Sequence, residues 1–392
     1  MPLSFKPFSQ IQLDDLNRLQ TDGVPEGLRI DYKRDNYGPS DAREFLKDVS
    51  SFANSHGGYL LIGVDEENGI IAAIPGIPDQ NIDADIQRLE NLLRDGIEPR
   101  IVGYQVRRIS VSDVSSVIAI AIPRSLNPPH RVSSQGTNRF FLRNSSGKHE
   151  ASVEELRHLF GFSARLAEDI RNFIGARRRE IVSGDSQNPD RGDGRLIVHV
   201  INAASFSDIS FVNIKKLYDD PYRFAAQYQG GISRRASLEG IVVGHEVDGQ
   251  FYDRTLIFRD GSFETVHTEF NRVLDGEILV PGTHLVQCLV TSVESALKGL
   301  HDWGATGPYV IGAAVETIKG ARVAFSNDPF LHYPKFDRAF VELPSVTLLE
   351  YESSVLVPCT LRPMLNALWN SVGLPECTFF KGDKWQPPSS YR

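Results

Sequence analysis

The chain contains few cysteines, only three among 392 residues, at Cys288, Cys359 and Cys377. They are odd in number and widely spaced, which excludes a disulfide scaffold and any zinc or redox site of the CxxC type. We therefore expect a protein of a reducing compartment, the cytoplasm. The first residues, MPLSFKPFSQIQLDD, lack a charged start followed by an apolar run, and we expect no signal peptide. No apolar stretch approaches the roughly 18 residues of a membrane span, which predicts that the chain does not cross a membrane.

Several catalytic signatures are also missing from the sequence. There is no G-x-x-x-x-G-K-[ST] loop to cradle phosphates, so no ATP site is recognisable, and no G-x-G-x-x-G opens a helix. Neither H-E-x-x-H nor a G-x-S-x-G elbow is present. A nucleotide-binding ATPase, a zinc protease and a dinucleotide-dependent oxidoreductase therefore lack their usual motifs.

Positive charge is in the minority over the whole chain. With 42 Lys and Arg against 50 Asp and Glu, the net charge is −8, which argues against electrostatic capture of nucleic acid by the molecule as a whole. The segment 124–180 is different, because it carries eleven Lys and Arg against six Asp and Glu. A local basic patch is therefore expected in this part of the chain.

The length predicts two domains, since a domain usually takes about 100–200 residues. The segment 183–194 (SGDSQNPDRGDG) is polar and rich in Gly and Asp, which is typical of a linker. We therefore expect one domain over 1–182, a linker over 183–194 and a second domain over 195–392. No internal repeat is visible.

The hydrophobic periodicity of the first domain indicates a mixture of strands and helices. The segment LRIDYK alternates apolar and polar residues as a half-buried strand does, whereas DAREFLKDVSSFANSH has helical spacing and ends at two glycines. The predicted strands are 28–33, 59–65, 70–74, 101–110, 116–122 and 139–143, and the predicted helices are 41–56, 83–97 and 153–179. The run of arginines at 177–179 is interpreted as a helix C-terminal cap, with nucleic-acid contact as the alternative.

The second domain carries no motif whose chemistry can be named. Its apolar runs predict strands at 196–202, 240–244, 255–259, 286–293 and 309–315, and a helix at 361–372. The expected fold class is therefore α+β for both domains, the first built on a mixed sheet with helices.

Three carboxylates of the first domain are candidates for a site. Glu26 lies in a Pro-Glu-Gly turn just before the strand at 28–33, Asp31 lies on the polar face of that strand, and Asp65 ends the buried strand at 59–65. If the two strands are neighbours, these side chains can meet at one edge of the sheet. Clustered carboxylate oxygens are the ligands of Mg²⁺ or Mn²⁺, and such an ion can activate water and neutralise charge on a phosphate. The alternative is a solvated strand face with ordinary charge pairs.

Basic side chains accompany these carboxylates and recur later in the domain. Arg29 and Lys33 flank Asp31 and can hold a phosphate. The segment 139–148 interleaves Arg139, Arg143 and Lys148 with two phenylalanines, a pattern that can follow a phosphate backbone and stack bases. The alternative is a strand with buried phenylalanines and solvated arginines.

These segments together resemble the Schlafen AlbA-type domain, a family described as DNA-binding. The resemblance rests on EGLRIDYK at 26–33, FANSHGG at 52–58 and YLLIGVD at 59–65, followed by PPH at 128–130 and RFFLR at 139–143. It covers residues 20–160, roughly 40% of the chain. The combination of these motifs is far more specific than any one of them.

The resemblance implies more than the spacing does. In the nuclease branch of the family, three acidic residues bind a divalent metal and cut tRNA or other RNA, and they match Glu26, Asp31 and Asp65. The family usually has Glu where Asp31 stands and Phe where Tyr32 stands, so the shorter carboxylate shifts the metal geometry. Other members are binding modules without known catalysis.

We therefore expect a nucleic-acid-binding protein that is a divalent-metal-dependent endoribonuclease, acting in stress or phage defence. Glu26, Asp31 and Asp65 would hold Mg²⁺ or Mn²⁺, and RNA is favoured over DNA. The alternative is a non-catalytic regulatory or sensor module with a partner-binding C-terminal domain. Since vertebrate relatives build their groove from two related lobes, a homodimer would supply the second wall here.

Overall fold

The chain divides into two compact units, Met1–Ala167 and Glu168–Arg392. The structure is a computed structural model that describes residues 3, 8–133, 136, 138–145, 147–184, 186–192, 194–203, 212–219, 232–274, 276–303, 305, 307–317, 319–325, 334–348, 351 and 355–386. The boundary between the units falls earlier than the linker predicted at 183–194.

The first unit combines helices with short strands. Its α-helices are α1 (Leu13–Thr21), α2 (Ala42–Asn54), α3 (Ile82–Gly96) and the beginning of α4 (Val153–Ser183). Its strands are β1 (Ile30–Lys33), β2 (Gly58–Ile62), β3 (Asp65–Glu67), β4 (Ile70–Ala73), β5 (Ile77–Pro78), β6 (Ile97–Glu98), β7 (Gln105–Ser110), β8 (Ser115–Ile122), β9 (Arg131–Val132), β10 (Arg139–Asn144) and β11 (Gly147–Glu150). Short 3₁₀ turns occur at Phe8–Gln10, Pro39–Asp41 and Asp79–Asn81.

A mixed sheet forms the centre of the first unit. Its order is β1-β2-β8-β5, with β7 also paired to β8. The strands β1 and β2 are parallel neighbours, with Asp31 opposite Leu60, and the other pairings are antiparallel. The strand predicted at 70–74 is β4, and it pairs in antiparallel fashion with β3. A second, antiparallel sheet has the order β11-β10-β9-β6.

The central sheet is buried on both faces. Leu60 packs with Phe45 of α2 in one hydrophobic cluster, and Leu61 packs with Leu16 of α1 in another. Alternate residues of a strand point to opposite faces, so a continuous apolar run is what a strand covered on both sides requires. Ile30 and Tyr32 of β1 belong to the cluster with α1. Asp31 lies between them in the strand, so its side chain lies on the opposite face, toward α2.

The second unit is built around a larger sheet. Its strands are β12 (Arg195–Asn202), β13 (Ser233–Ala236), β14 (Gly240–Val247), β15 (Gln250–Phe258), β16 (Phe263–His267), β17 (Arg272–Leu274), β18 (Glu277–Val280), β19 (Tyr309–Glu316), β20 (Arg322–Val323), β21 (Phe340–Glu342), β22 (Val346–Leu348), β23 (Phe380–Lys381) and β24 (Lys384–Trp385). Its helices are the rest of α4, α5 (Ile214–Asp219), α6 (Gly282–Asp302), α7 (Val357–Thr360) and α8 (Arg362–Asn370). Eight strands join in the order β13-β14-β15-β16-β12-β19-β21, with β22 also paired to β19.

One prediction for the second unit is wrong. The segment 286–293, expected to be a strand, lies inside α6. Its apolar residues contact the main hydrophobic cluster of the unit, including Leu289 and Val293. A short apolar run looks the same in a buried strand and a buried helix, and only the length of the whole element separates the two. The α+β class itself is confirmed.

Buried ion pairs join α4 to the large sheet. Glu264 is fully buried, and its carboxylate accepts hydrogen bonds from Arg177 at 2.8 Å and from Arg254 at 2.7 Å. Arg178 is also buried and pairs with Glu342. Arg177 and Arg178 are therefore buried residues that pack α4 against the sheet, and the prediction that they cap the helix C-terminus is wrong.

The described residues of the predicted linker are hydrogen-bonded to other residues of the second unit. The backbone N–H of Phe251 donates to the carbonyl of Pro189 at 2.9 Å, and that of Arg191 donates to the carbonyl of Phe251 at 2.7 Å. The carboxylate of Asp190 accepts from Arg254 Nε at 2.7 Å. Polar composition predicted a loop here, but composition does not reveal that a loop is fixed by charge pairs.

Among the described residues, no helix is both long and apolar enough to cross a lipid bilayer.

Candidate nucleic-acid interface

The turn before β1 places Glu26 beside the sheet edge. The backbone N–H of Gly27 donates to the carbonyl of Ile30 at 3.0 Å, and that of Glu26 donates to the carbonyl of Gly69 at 2.7 Å. The Glu26 side chain turns back, and its Oε1 accepts from the N–H of Tyr32 at 2.6 Å. Burial raises the pKa of Glu26 to about 7, and the neighbouring Asp31 carboxylate adds to this rise while the Tyr32 hydrogen bond opposes it.

Asp31 is buried, with only 3% of its surface exposed, although its strand pattern predicted a solvated face. Lys33 Nζ lies 2.6 Å from its Oδ1, and Arg143 Nη2 lies 2.6 Å from its Oδ2. Burial opposes the charge of Asp31, but the two cations outweigh burial and hold the pKa of the carboxyl below its ordinary value. Asp31 is therefore a buried carboxylate that stays ionised, and Lys33 and Arg143 balance its negative charge.

Arg143 reaches Asp31 from β10 and is itself buried. Its Nε donates to the carbonyl of Gly27 at 2.8 Å, and its guanidinium lies 4.4 Å from the ring of Phe52. Its backbone N–H donates to Ser55 Oγ at 2.8 Å. One terminal nitrogen, Nη1, is buried and has no hydrogen-bond partner among the described residues. The side chain thus joins α2, β1 and β10, and the sequence prediction of a solvated or phosphate-bound arginine missed this packing role.

Asn54, in the resembling FANSHGG segment, makes a second connection between α2 and the strands. Its Nδ2 donates to the carbonyls of His130 at 2.9 Å and Phe141 at 3.0 Å, and its Oδ1 accepts from the N–H of His130 at 2.7 Å. Only 3% of its surface is exposed. These three bonds satisfy backbone groups that would otherwise be buried without partners.

The glycine pair after α2 permits a close approach of backbones. Gly57 has φ +65°, and an added Cβ there would lie 2.6 Å from the backbone nitrogen of Arg124. A Cβ on Gly58 would lie 2.5 Å from the carbonyl oxygen of Arg29. Both distances are shorter than van der Waals contact permits, so these positions require glycine for β2 to pass between its neighbours.

Asp65 does not join the other two carboxylates in a metal-binding group. It begins β3, its side chain is 36% exposed, and its Oδ2 lies 3.9 Å from Nη1 of Arg34. Within the described part of the chain, no three His, Cys, Asp or Glu side chains are placed to hold a metal ion. Since both oxygens of Asp31 already contact cations at 2.6 Å, these side chains as arranged do not fit a Mg²⁺ or Mn²⁺ site.

The remaining predicted basic residues are in different surroundings. Lys148 contacts Asp48 at 2.6 Å and also Glu44, so its charge is neutralised against α2. Arg139 pairs with Glu150 on the neighbouring strand, but half of its side chain stays exposed. Arg29 stays partly exposed next to the Glu26 turn. The structure therefore brings Lys33 and Arg143 to Asp31 and keeps Lys148 and Arg139 on other partners.

A cavity beside Glu26 was not predicted from the sequence. Its volume is about 390 Å³, and most of its lining is apolar. The lining residues are Leu3, Leu19, Val24, Pro25, Glu26, Gly27, Leu28, Arg29, Ile30, Tyr59 and Ser145. The alternation of LRIDYK predicts that Leu28 faces the core, yet it is 39% exposed. The alternation by itself carries no signal of the cavity, because the exposure of Leu28 is visible only in the structure.

Comparisons with known proteins agree with the motifs of the first unit. The family model described as "Schlafen, AlbA_2" matches residues 26–152. A search of curated proteins finds no match.

Two solved structures are similar over part of the chain. The DIP2311 protein from Corynebacterium diphtheriae is 17% identical with a TM-score of 0.27, and the match covers 37% of this chain and 27% of that protein. The N-terminal domain of a protein named as a RecG-related ATP-dependent DNA helicase, from Nitrosomonas europaea, is 23% identical with a TM-score of 0.25, and the match covers 36% of this chain and 90% of that one. The family match, the mixed sheet and the α2 connections lead to one conclusion: residues 26–152 of this chain form a Schlafen AlbA_2 domain.

Proposed function

We propose that the Schlafen AlbA_2 domain of this chain binds nucleic acid, and that the cavity beside Glu26 receives an unstacked base. The observation that carries this proposal is the cavity itself, whose mostly apolar lining includes Arg29 and Tyr59. Proteins bind single strands by combining cationic side chains for the phosphates with apolar and aromatic surfaces for the bases. A volume of about 390 Å³ is at the lower end of ordinary ligand pockets.

The polar group in this cavity suits a base better than a phosphate. Because the pKa of Glu26 is raised to about 7, a large part of its carboxyl groups are protonated at neutral pH and can donate a hydrogen bond. A protonated carboxyl does not repel a polyanion, whereas two ionised carboxylates side by side would. Its hydrogen bond with Asp31 takes up that proton, so Glu26 would give the base an uncharged polar neighbour.

Cations in and next to β1 would hold the phosphates. Arg29 lines the cavity, and Arg34, which follows β1, has 67% of its side chain exposed and lies 3.9 Å from the Asp65 carboxylate. Lys33 lies between them in the sequence, with a third of its side chain exposed and its ammonium 2.6 Å from Asp31. With a net charge of −8, the protein binds a polyanion through such a local group of cations, and the affinity will depend strongly on salt.

Binding is tested with fluorescently labelled single-stranded RNA, single-stranded DNA and tRNA over a series of salt concentrations. We expect the double variant Arg29→Gln/Arg34→Gln to bind at least about tenfold more weakly, with a salt slope reduced by roughly one per lost phosphate contact. Leu28→Asp should weaken binding by placing a charge in the lining. The matched control is Arg94→Gln, an exposed arginine of α3 that does not line the cavity. If all variants bind like the unmodified protein, the proposal is wrong.

The geometry favours a non-catalytic binding module over the predicted metal-dependent endoribonuclease. Both oxygens of Asp31 contact cations, and Glu26 is held by a backbone N–H. The test is to incubate labelled tRNA with the protein in the presence of Mg²⁺, Mn²⁺ or EDTA. The variants Glu26→Gln and Asp65→Asn are assayed under the same conditions. We expect binding without cleavage. Cleavage that needs metal and disappears in both variants would instead establish the nuclease. Its preference for RNA would then be measured with the single-stranded RNA, single-stranded DNA and tRNA of the binding assay.

A further inference from the structure

One face of α6 carries a thiol next to two imidazoles. His284, Cys288 and Ser292 follow each other at intervals of four residues, so they form one stripe along the helix. The stripe faces the end of β16, where His267 stands directly opposite Asp253 of β15 in the antiparallel ladder. We call these five side chains the thiol cluster. They come from three elements, β15, β16 and α6.

The contacts within the thiol cluster form a connected chain. His267 Nδ1 lies 3.1 Å from Asp253 Oδ1, and its Nε2 lies 2.8 Å from Ser292 Oγ. The Ser292 hydroxyl donates to the backbone carbonyl of Cys288 at 2.7 Å. Cys288 Sγ lies 3.6 Å from Nε2 and 3.9 Å from Nδ1 of His284. Asp253 thus orients one imidazole toward the stripe, and the second imidazole lies beside the sulfur.

The charges of the cluster stabilise a thiolate. Burial alone would raise the pKa of Cys288, but the His267 and His284 imidazoles outweigh it and lower that pKa to about 7. Burial likewise opposes the charge of His267, yet Cys288 and Asp253 raise its pKa to about 10. The pKa of His284 is also raised, chiefly by its contact with the thiol, and the nearby Arg272 acts against this.

Exposure distinguishes this thiol from a buried one. Cys288 is partly exposed, and His284 lies at the surface, whereas Cys377 is buried. Burial raises the pKa of Cys377 to about 11, although a backbone hydrogen bond at Phe379 and the charge of Arg362 oppose the rise. The thiol cluster therefore combines access from solvent with a stabilised thiolate, which are the two conditions for a reactive cysteine.

We propose that Cys288 is a reactive thiolate, oriented and charged by His267 and His284, and that it is a site of covalent modification by small electrophiles of the peroxide class. In the reaction with hydrogen peroxide, the sulfur attacks one oxygen, the S–O bond forms and the O–O bond breaks. The leaving hydroxide takes a proton from the His267 imidazolium and becomes water. Cys288 is oxidised by two electrons to the sulfenic acid, and the peroxide is reduced by the same two electrons.

The full-length protein provides its own control thiols, because peptide mass spectrometry follows Cys288, Cys359 and Cys377 in one sample. With limiting iodoacetamide at pH 7, we expect Cys288 to be alkylated about fivefold faster than Cys359. A lower pKa increases the thiolate fraction roughly 20- to 50-fold, and the weaker nucleophilicity of an acidic thiolate reduces that gain to about this size. With hydrogen peroxide and dimedone, the sulfenic-acid adduct should form at Cys288 first.

Variants separate the role of the imidazoles from general folding. His284→Gln changes a surface residue, so the fold is retained, and we expect the alkylation rate at Cys288 to fall about threefold while its pH midpoint rises by about one unit. Asp253→Asn should produce a smaller change in the same direction through His267. Cys288→Ser removes the adduct. The proposal is overturned if Cys288 reacts no faster than Cys359, or if the pH midpoint of its reaction is the same in His284→Gln as in the unmodified protein.

Discussion

Replacing Asp31 with asparagine removes a negative charge that two cations contact from within the first unit. The new side chain would keep the shape of the old one and one acceptor oxygen, but it would leave Arg143 charged, with 5% of its side chain exposed. Breaking a buried ion pair from one side costs about 3–5 kcal/mol, because the remaining charge has lost its water and its partner. Lys33 is a third exposed and adds little, since exposed pairs contribute roughly 0–1 kcal/mol.

Tryptophan fluorescence cannot follow this change. The three tryptophans of the chain are Trp303, Trp369 and Trp385, which all lie in the second unit. Hydrogen exchange measured by mass spectrometry reports each unit separately. For Asp31→Asn we expect peptides covering β1 and β10 to exchange about 10²–10⁴ times faster, as a loss of about 3–5 kcal/mol requires, and peptides of the second unit to stay unchanged.

A second substitution tests the cause. In Asp31→Asn/Arg143→Gln the buried positive charge is also removed, and we expect at least half of the lost protection to return. Exchange in Asp31→Asn that stays within about fivefold of the unmodified protein would refute the account of Asp31 as a partner of a buried arginine.

The effect of acid on the same pair has a defined sign. Because the folded state lowers the pKa of Asp31, its ionised form stabilises the fold above the ordinary value of 3.8, and this stabilisation is lost as the pH falls through the lower folded value. Asp31→Asn should therefore differ most from the unmodified protein at neutral pH, and the two should converge in acid. It follows that a loss of any activity in this variant does not assign Asp31 to chemistry.

The remaining predictions concern burial elsewhere in the chain. The raised pKa of Glu26 favours folding fully below 4.5, and this contribution is lost as the pH rises through about 7, so Glu26→Gln should stabilise the first unit by about 1 kcal/mol at pH 8 and not at pH 4, by hydrogen exchange. Asn54→Ala should cost about 1–3 kcal/mol for each backbone group left without a partner, measured in the same way. Gly58→Ala should prevent accumulation of folded protein, because its Cβ would lie 2.5 Å from a carbonyl oxygen, whereas Gly161→Ala, with no atom nearer than 3.7 Å, should be tolerated. Glu264→Gln should lower the urea midpoint of tryptophan fluorescence by the equivalent of about 3–5 kcal/mol, and an unchanged midpoint would contradict the buried ion pairs of the second unit.

Periodicity predicted the longer helices and the central strands of the first unit, because each of these has one dominant environment, but it missed α1 and the short strands β5, β6, β9 and β11. The helix at 41–56 is α2, and the apolar run at 59–65 includes β2, which is covered on both faces. The strand at 28–33 was harder, because alternation alone assigned its polar residues to water. Asp31 is buried only because Arg143, more than a hundred residues later, brings it a counter-charge.

Partners that are distant in the sequence are also why the site was only partly predictable. The motifs grouped Glu26 and Asp31 with Asp65, and they assigned Arg143 to a separate basic segment. Spacing could not indicate that Asp31 meets the cations Lys33 and Arg143 instead of a third carboxylate. The thiol cluster was invisible for a similar reason, since 286–293 was predicted as a strand and the helical spacing of His284, Cys288 and Ser292 was therefore lost. Each miss concerns a side chain whose environment is made by another element.

The residues that carry the family resemblance are mostly residues that join elements. Asn54 and Ser55 connect the end of α2 to the strands beyond it, Gly58 lets β2 pass a neighbouring backbone, and Asp31 neutralises Arg143. A sequence can keep all of these for the sake of the fold, whether or not it cuts RNA. The motif therefore identifies the domain, and its members have two kinds of surroundings. Glu26, Leu28 and Arg29 line the cavity, and their substitution tests the proposed binding of nucleic acid. Asp31, Asn54 and Gly58 join elements of the fold, and their substitution tests stability instead.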